Sequence, residues 1–401
     1  MRYVIVGNGA AATTAVEVLT EIAPGSTIQV YGEEPYWAYR RPQLPEFLAG
    51  GVEEAKTLIH PPAWYEQRGV SVQRGVRVEA LEPASGTIRL ADGRTVPYDR
   101  LLLATGAASF IPPLDGANLT GVFSLRTLDD ARAIRAYAQN SRRAAVLGGG
   151  LLGLEAARAL RALGLEVTVI EVYGWLLPRQ LDRPGGEILG RIIAGMGIHI
   201  LTGTATECIA GQDGRVAGLH LEDGREVEAD LVLISAGVRS RVELARQAGL
   251  AVNRGIVVDR YLRTGVENIY AAGDCAEFEG RVYGILPAAW EQARAAARNM
   301  AGQETLYEGT IPSTTLKVVG VDLTSIGQVQ PEGEGFVELR RSEPEAGRYV
   351  KLVLRDGRLV GAILLGERKR VRLLNRLIAG QADVSAYAER LLEEDFEPPE
   401  G

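Results

Sequence analysis

The sequence predicts an α/β fold in which two parallel, helix-covered sheets are each raised on one copy of a duplicated βαβ unit, followed by a smaller α+β domain. Three observations predict it. An apolar strand, a glycine turn, an alanine-rich helix and a second strand ending in an acid occur twice along the chain. The strands of both copies are continuous apolar runs, the pattern of a parallel sheet covered on both faces. Beyond residue 300 the composition shifts to strand-like runs such as Lys351 to Leu354 and Leu359 to Leu365.

The first copy runs from strand Tyr3 to Val6 through the turn Gly7-Asn8-Gly9-Ala10-Ala11-Ala12 and a helix to about Ile22. It continues into strand Thr27 to Tyr31, with Glu33 just beyond. The second runs from strand Ala144 to Leu147 through Gly148-Gly149-Gly150-Leu151-Leu152-Gly153 and a helix to about Leu163. Its last strand, Glu166 to Ile170, ends at Glu171. Asp92-Gly93, Asp223-Gly224 and Asp356-Gly357 mark hairpins beside the parallel sheets. A helix is expected from about Pro287 to Met300, with proline in its first turn, and a frayed acidic tail over Glu393 to Gly401.

The chain has 401 residues, 46% hydrophobic and 24% charged, enough for two or three domains with separate cores, so disorder is not expected. No run approaches the ~20 apolar residues of a membrane helix, and no signal-like segment precedes the first strand, so the expected location is the cytoplasm. Cys208 and Cys275 are the only cysteines, without a C-x-x-C, which disfavours a disulfide framework, a cysteine-ligated metal or a redox-active pair. Electron chemistry would need a bound cofactor. A net charge of -7 argues against general affinity for nucleic acid or anionic membrane. Arg368, Lys369, Arg370, Arg372 and Arg376 nevertheless cluster, either as a solvated helix or strand edge or as a docking patch for an acidic protein.

A dinucleotide requires a turn without side chains, so that helix N-terminal N–H groups approach the pyrophosphate and the helix dipole favours its charge. Gly7 and Gly9 supply this, with Ala10 opening the helix and Ala12 in the place of a third glycine; Gly148, Gly150, Leu152 and Gly153 repeat it. One such motif is weak, but two in register point to two Rossmann-type dinucleotide-binding domains. Glu33 and Glu171 each follow an apolar strand where a carboxylate accepts from ribose hydroxyls, although Glu34 competes with Glu33. A 2′-phosphate beside Glu171 would be repelled, which favours NADH over NADPH.

Along nearly its whole length the chain resembles the two-dinucleotide-domain flavoprotein reductases, in particular the flavin part of assimilatory NADH nitrite reductase large subunits and the rubredoxin reductases. The resemblance is carried by Val6 to Gly9, Gly32-Glu33-Glu34-Pro35, Tyr39-Arg40-Arg41-Pro42, Leu103-Ala104-Thr105-Gly106 and Gly148 to Glu155. It continues through Arg179-Gln180-Leu181-Asp182 with Gly185-Gly186, Ser235-Ala236-Gly237-Val238 and Tyr270-Ala271-Ala272-Gly273-Asp274-Cys275. It implies that the first glycine turn holds FAD and the second NADH. The NAD-binding domain (107–235) would be inserted into a discontinuous FAD-binding domain (1–106 and 236–300), with 301–401 as a small C-terminal α+β domain. Thr105-Gly106 and Gly237 would mark the crossings. Gly273 and Asp274 would approach the FAD ribityl and pyrophosphate region, the alternative for Asp274 being a buried helix cap. Arg41 would pair with the phosphates or brace the flavin, unless it is a surface arginine. The helix at Pro287 would aim its positive end at the flavin pyrimidine.

The resemblance further implies that Glu155, in the first turn of the second helix, lies near the nicotinamide and flavin as a catalytic carboxylate. The lysine that pairs with it in many relatives falls at Glu46, which either shares the site or points to solvent. The cysteine that peroxide-reducing, water-forming and coenzyme A disulfide-reducing relatives carry in this segment is missing. The implied chemistry is hydride transfer from NADH to FAD and one-electron exit to a small carrier protein or a reductase subunit; a homodimer stays open. Two rivals are a flavin-binding assembly protein with slow NADH oxidation and a reductase of a diffusible acceptor such as oxygen or quinone.

Overall fold

A computed structural model of the chain describes residues 1–396. The chain forms two compact units. The first comprises Met1–Gln43, Val52–Ala108 and Val238–Thr310, the second Leu44–Gly51, Ser109–Gly237 and Ile311–Gly401.

The first unit is built on a five-stranded parallel sheet in the order Ile269–Ala271, Arg100–Leu103, Arg2–Val6, Thr27–Gly32, Ser71–Arg74. Val4, Ile5 and Leu101 to Leu103 are fully buried, as expected for uninterrupted apolar strands between two layers. Helix Ala10–Ile22 turns Ala12, Ala15, Val16 and Leu19 into this core, and helix Leu286–Met300 adds Ala293, Ala296 and Ala297. Small side chains on both helices let them pack closely.

The second unit repeats the arrangement in the order Ile198–Thr202, Glu166–Glu171, Arg143–Leu147, Leu231–Ile234, Val122–Phe123, again parallel. Helix Leu151–Ala162 follows the central strand. Two helices that the sequence reading left unassigned carry their own start signals. Thr127 and Asp130 form a reciprocal capping box on Leu128–Ala138, and Asp182 caps Arg183–Gly195. The same unit contains a five-stranded antiparallel sheet from 313 to 365 and helix Val371–Ala379, with a separate apolar cluster around Leu352, Leu364 and Leu374.

Each Asp-Gly pair closes an antiparallel hairpin. At Asp356-Gly357 both residues have positive φ (50° and 74°), the geometry of a tight hairpin turn. The acidic tail departs from expectation: Phe396 is buried and Glu394 pairs with Arg348 and Lys369, so Glu393 to Phe396 pack against the unit. Residues 397–401 lie outside the described residues. Among the described residues no helix is long and apolar enough to cross a membrane.

Candidate functional site

Each parallel sheet presents a glycine turn at its carboxyl edge. Gly7 (φ 114°) and Gly148 (φ 117°) make the turn: a Cβ there would lie 2.0 Å from the Ala104 carbonyl oxygen and 2.4 Å from that of Ser235. Gly9 and Gly150 differ, because a Cβ on either meets nothing within 4 Å. Space is kept open in front of them. They are the N-caps of helices Ala10–Ile22 and Leu151–Ala162, and neither helix has a side-chain cap or an acid in its first turn. An uncapped helix end leaves its first amides without intrahelical acceptors and carries positive potential, which suits a pyrophosphate. At the third position a Cβ on Gly153 would fall 2.0 Å from the Gly148 oxygen, whereas the first turn accommodates Ala12, fully buried.

In the first unit the acids after strand Thr27–Gly32 divide. Glu34 is spent internally, taking the Arg41 guanidinium at 2.5 Å and the Tyr39 hydroxyl at 2.5 Å. Glu33 is exposed and pairs with Arg241 at 2.7 Å and Arg77 at 3.6 Å. Arg41 is half-buried; burial works against its charge, but Tyr39, Glu34 and Asp274 outweigh it and raise its pKa. Arg41 and Asp274, more than two hundred residues apart in sequence, thus share one electrostatic environment. Asp274 is half-buried, its carbonyl accepts from the Ser240 hydroxyl at 2.7 Å, and the helix after it takes Ile285 as N-cap. Asp274 is therefore not the N-cap of that helix. Gly273 (φ 85°) donates its N–H to Gln292, and Pro287 lies in the first turn of helix Leu286–Met300.

Arg241 was not anticipated from sequence. Its carbonyl accepts from the Thr105 hydroxyl at 2.7 Å, its N–H donates to the Gly106 carbonyl at 2.9 Å, and its guanidinium holds Glu33. Nothing local to residue 241 signals this, since its partners arrive from two distant strand ends.

In the second unit Glu171 is buried, and each carboxylate oxygen takes a backbone donor: Gly149 N–H at 2.7 Å and Tyr173 N–H at 2.9 Å. It braces the turn and retains lone pairs for a ribose hydroxyl. Leu152 is half-buried, and the Gly237 carbonyl accepts from Phe110 N–H at 2.9 Å. Glu155 is the fifth residue of a helix that starts at Leu151, just past its first turn. Its oxygens are engaged by Val319 N–H at 2.7 Å and by Arg158 at 3.2 Å. The helix Leu44–Ala49, which carries Glu46, packs on the Glu155 helix, but the Glu46 side chain itself is exposed. Arg158, one turn on, supplies a counter-charge to Glu155.

Both cysteines are free. Cys275 is fully buried, its thiol donating to the Leu103 carbonyl, and burial pushes its pKa up, so it is a packing residue. The described residues contain no cluster of three potential metal ligands.

Residues 1–299 match the family model described as pyridine nucleotide-disulphide oxidoreductase, and residues 312–382 match the rubredoxin NAD+ reductase C-terminal domain. The chain is 38% identical to a nitrite reductase [NAD(P)H] of Bacillus subtilis over 96% of its own length and 48% of that protein's. It is 33% identical to a rubredoxin-NAD(+) reductase of Alcanivorax borkumensis, covering 91% of this chain and 94% of the other. The chain thus spans about half the length of the first curated relatives it matches. The structure of a ferredoxin reductase from Rhodopseudomonas palustris superposes with a TM-score of 0.84 at 28% identity, covering 91% of each chain. With both glycine turns, the parallel sheets that present them and a model match over three quarters of the sequence, the chain belongs to the pyridine nucleotide-disulphide oxidoreductase family, whose members use FAD and NAD(H).

Proposed function

We propose that the chain is an FAD-dependent NADH oxidoreductase that passes electrons to a small carrier protein. The observation that carries this is the pair of uncapped, acid-free helix ends behind Gly9 and Gly150, each with open space before it. In this reading residues 1–106 and 236–300 form the FAD-binding domain, 107–235 the NAD-binding domain and 301–401 the C-terminal domain.

The amides at Gly9 and Ala10 would hold the FAD pyrophosphate, with Glu33 toward the adenosine ribose and the Arg41 and Asp274 pair toward the phosphates and ribityl chain. Pro287 lies in the first turn of a helix whose positive end would favour charge on a reduced ring. Thr105 and Gly106, both bonded to Arg241, would set where the chain leaves the domain. Bound FAD supplies a two-electron acceptor that can release electrons singly. Glu171 directs the second turn to NADH, because a 2′-phosphate would meet a buried carboxylate followed by the uncharged, exposed Val172 and Tyr173. Glu155, held by Val319 and Arg158, would lie near the nicotinamide as the catalytic carboxylate.

Relatives named for rubredoxin and ferredoxin support a protein acceptor. Anaerobic stopped-flow mixing with NADH and with NADPH tests the assignment. Fast flavin bleaching by NADH alone supports it; protein without flavin, or flavin that NADH barely bleaches, sinks it and favours a binding role.

A further inference from the structure

The C-terminal sheet is attached by polar side chains to the loop that frames the second glycine turn. That loop, residues 172–182, leaves the parallel sheet at Glu171 and closes back on the turn, where Leu177 N–H donates to the Gly149 carbonyl at 3.0 Å. Leu177 is fully buried with φ 54°, a left-handed conformation that a leucine rarely adopts and that persists only where the surroundings hold it. The holding groups come from the C-terminal part of the same compact unit. Gln330 donates its amide to the carbonyls of Pro178 at 2.6 Å and Leu181 at 2.8 Å. Asp182, the last residue of the loop, accepts from the Tyr349 hydroxyl at 2.7 Å and pairs with Lys351 at 3.3 Å. Lys351 is 2% exposed. A further tie joins Val319 N–H to Glu155 in the glycine-turn helix.

These ties are separate from the core of the C-terminal sheet, which has its own apolar cluster. They form a contiguous chain of contacts from that sheet through the loop to Gly149. We propose that the C-terminal sheet buttresses the nucleotide site. Through Gln330 and Tyr349 it sets the shape of loop 172–182, and thereby the affinity of the second glycine turn for NADH. The inference rests on the assignment of that turn to NADH.

The test uses the flavin-loaded full chain as Gln330→Ala/Tyr349→Phe, Tyr349→Phe alone and, as a control, the exposed Glu389→Ala. The bleaching rate against NADH concentration separates apparent Kd from limiting rate, and hydrogen exchange reports on 172–182. The three hydrogen bonds lost should raise the double variant's apparent Kd about tenfold, with the limiting rate within about twofold and faster exchange in the loop. Tyr349→Phe, which keeps the ring against Gly185, should show a smaller change in the same direction and guards against a folding defect. Unchanged Kd and unchanged exchange in variants of a wild type that NADH does bleach would overturn the buttress. A wild type that NADH does not bleach removes the functional assignment first, a separate result.

Discussion

At the scale of single residues, glycines with similar motif positions have different jobs. Gly7 is required by the backbone, because a methyl would strike the Ala104 carbonyl and the φ is positive. Gly9 is not required by the protein at all, since nothing lies within 4 Å of its missing Cβ. Gly7→Ala should therefore cost more than about 3 kcal/mol and deplete folded protein, whereas Gly9→Ala should keep the apoprotein's melting temperature within a few degrees and lose flavin. Thermal melts of apoprotein and flavin content by absorbance check the pair together. If Gly9→Ala retained a full complement of flavin, the proposed pyrophosphate site would be wrong. Lys351 gives a second contrast. It is buried between Asp182 at 3.3 Å and Glu338 at 3.0 Å; because Arg340 also pairs with both acids, Lys351→Ala should destabilise by about 1–3 kcal/mol in chemical denaturation.

At the scale of elements, loops are held by acids at strand ends. Glu277, in the buried strand Ala276–Phe278, accepts from Gly255 N–H at 2.9 Å and Asn253 at 3.1 Å. Burial acts to raise its pKa, but these bonds outweigh it and hold the carboxyl below its ordinary value. The stabilisation is then complete above the unfolded value of about 4.3 and is lost as pH falls through the lower folded value. Between about pH 5 and 3 the wild type should lose stability more steeply than Glu277→Gln, as followed by urea unfolding at each pH. Parallel slopes would show that the carboxylate has no such role. Helix starts follow a related logic. Thr127→Ala removes half of the capping box and should cost about 1 kcal/mol, while the glycine-turn helices have no side-chain cap to lose.

At the scale of the whole molecule, the basic cluster changes meaning. Arg368 pairs with Asp322 at 2.7 Å, Lys369 with Glu394 at 3.3 Å, and Arg370 is buried against Glu367 at 2.6 Å. Arg368 and Lys369 are exposed but paired; Arg372 and Arg376 are exposed on helix Val371–Ala379 with no ion pair among the described residues. Reduction of an acidic carrier should consequently weaken with charge reversal at Arg372 and Arg376. Its salt dependence should be shallower than five free cations would give, measured as turnover against ionic strength. Reversal at Arg368 should instead lower stability by breaking the Asp322 pair.

The strand, turn and helix order of both βαβ units was legible in the sequence because it rests on local physics: β-branched and leucine runs for buried strands, glycine where the backbone must turn, alanine where helix and sheet approach. The two glycine turns and the Asp-Gly hairpins were legible for the same reason. The partners of the acids were not. Glu34 rather than Glu33 takes Arg41, Arg241 ties Thr105 to Glu33, and Glu155 finds Val319 and Arg158. Each of these choices, apart from Arg158, depends on which segments meet at a strand end. A charged side chain accepts any opposite charge within a few ångströms, so its sequence neighbours do not determine its partner. The sequence by itself determined the elements, their duplication and the two turns fit for dinucleotides. Only the tertiary structure decided that Leu44–Gly51 clusters with the second unit and that the C-terminal sheet is bonded to the loop after Glu171, because those contacts join residues that chain connectivity leaves far apart.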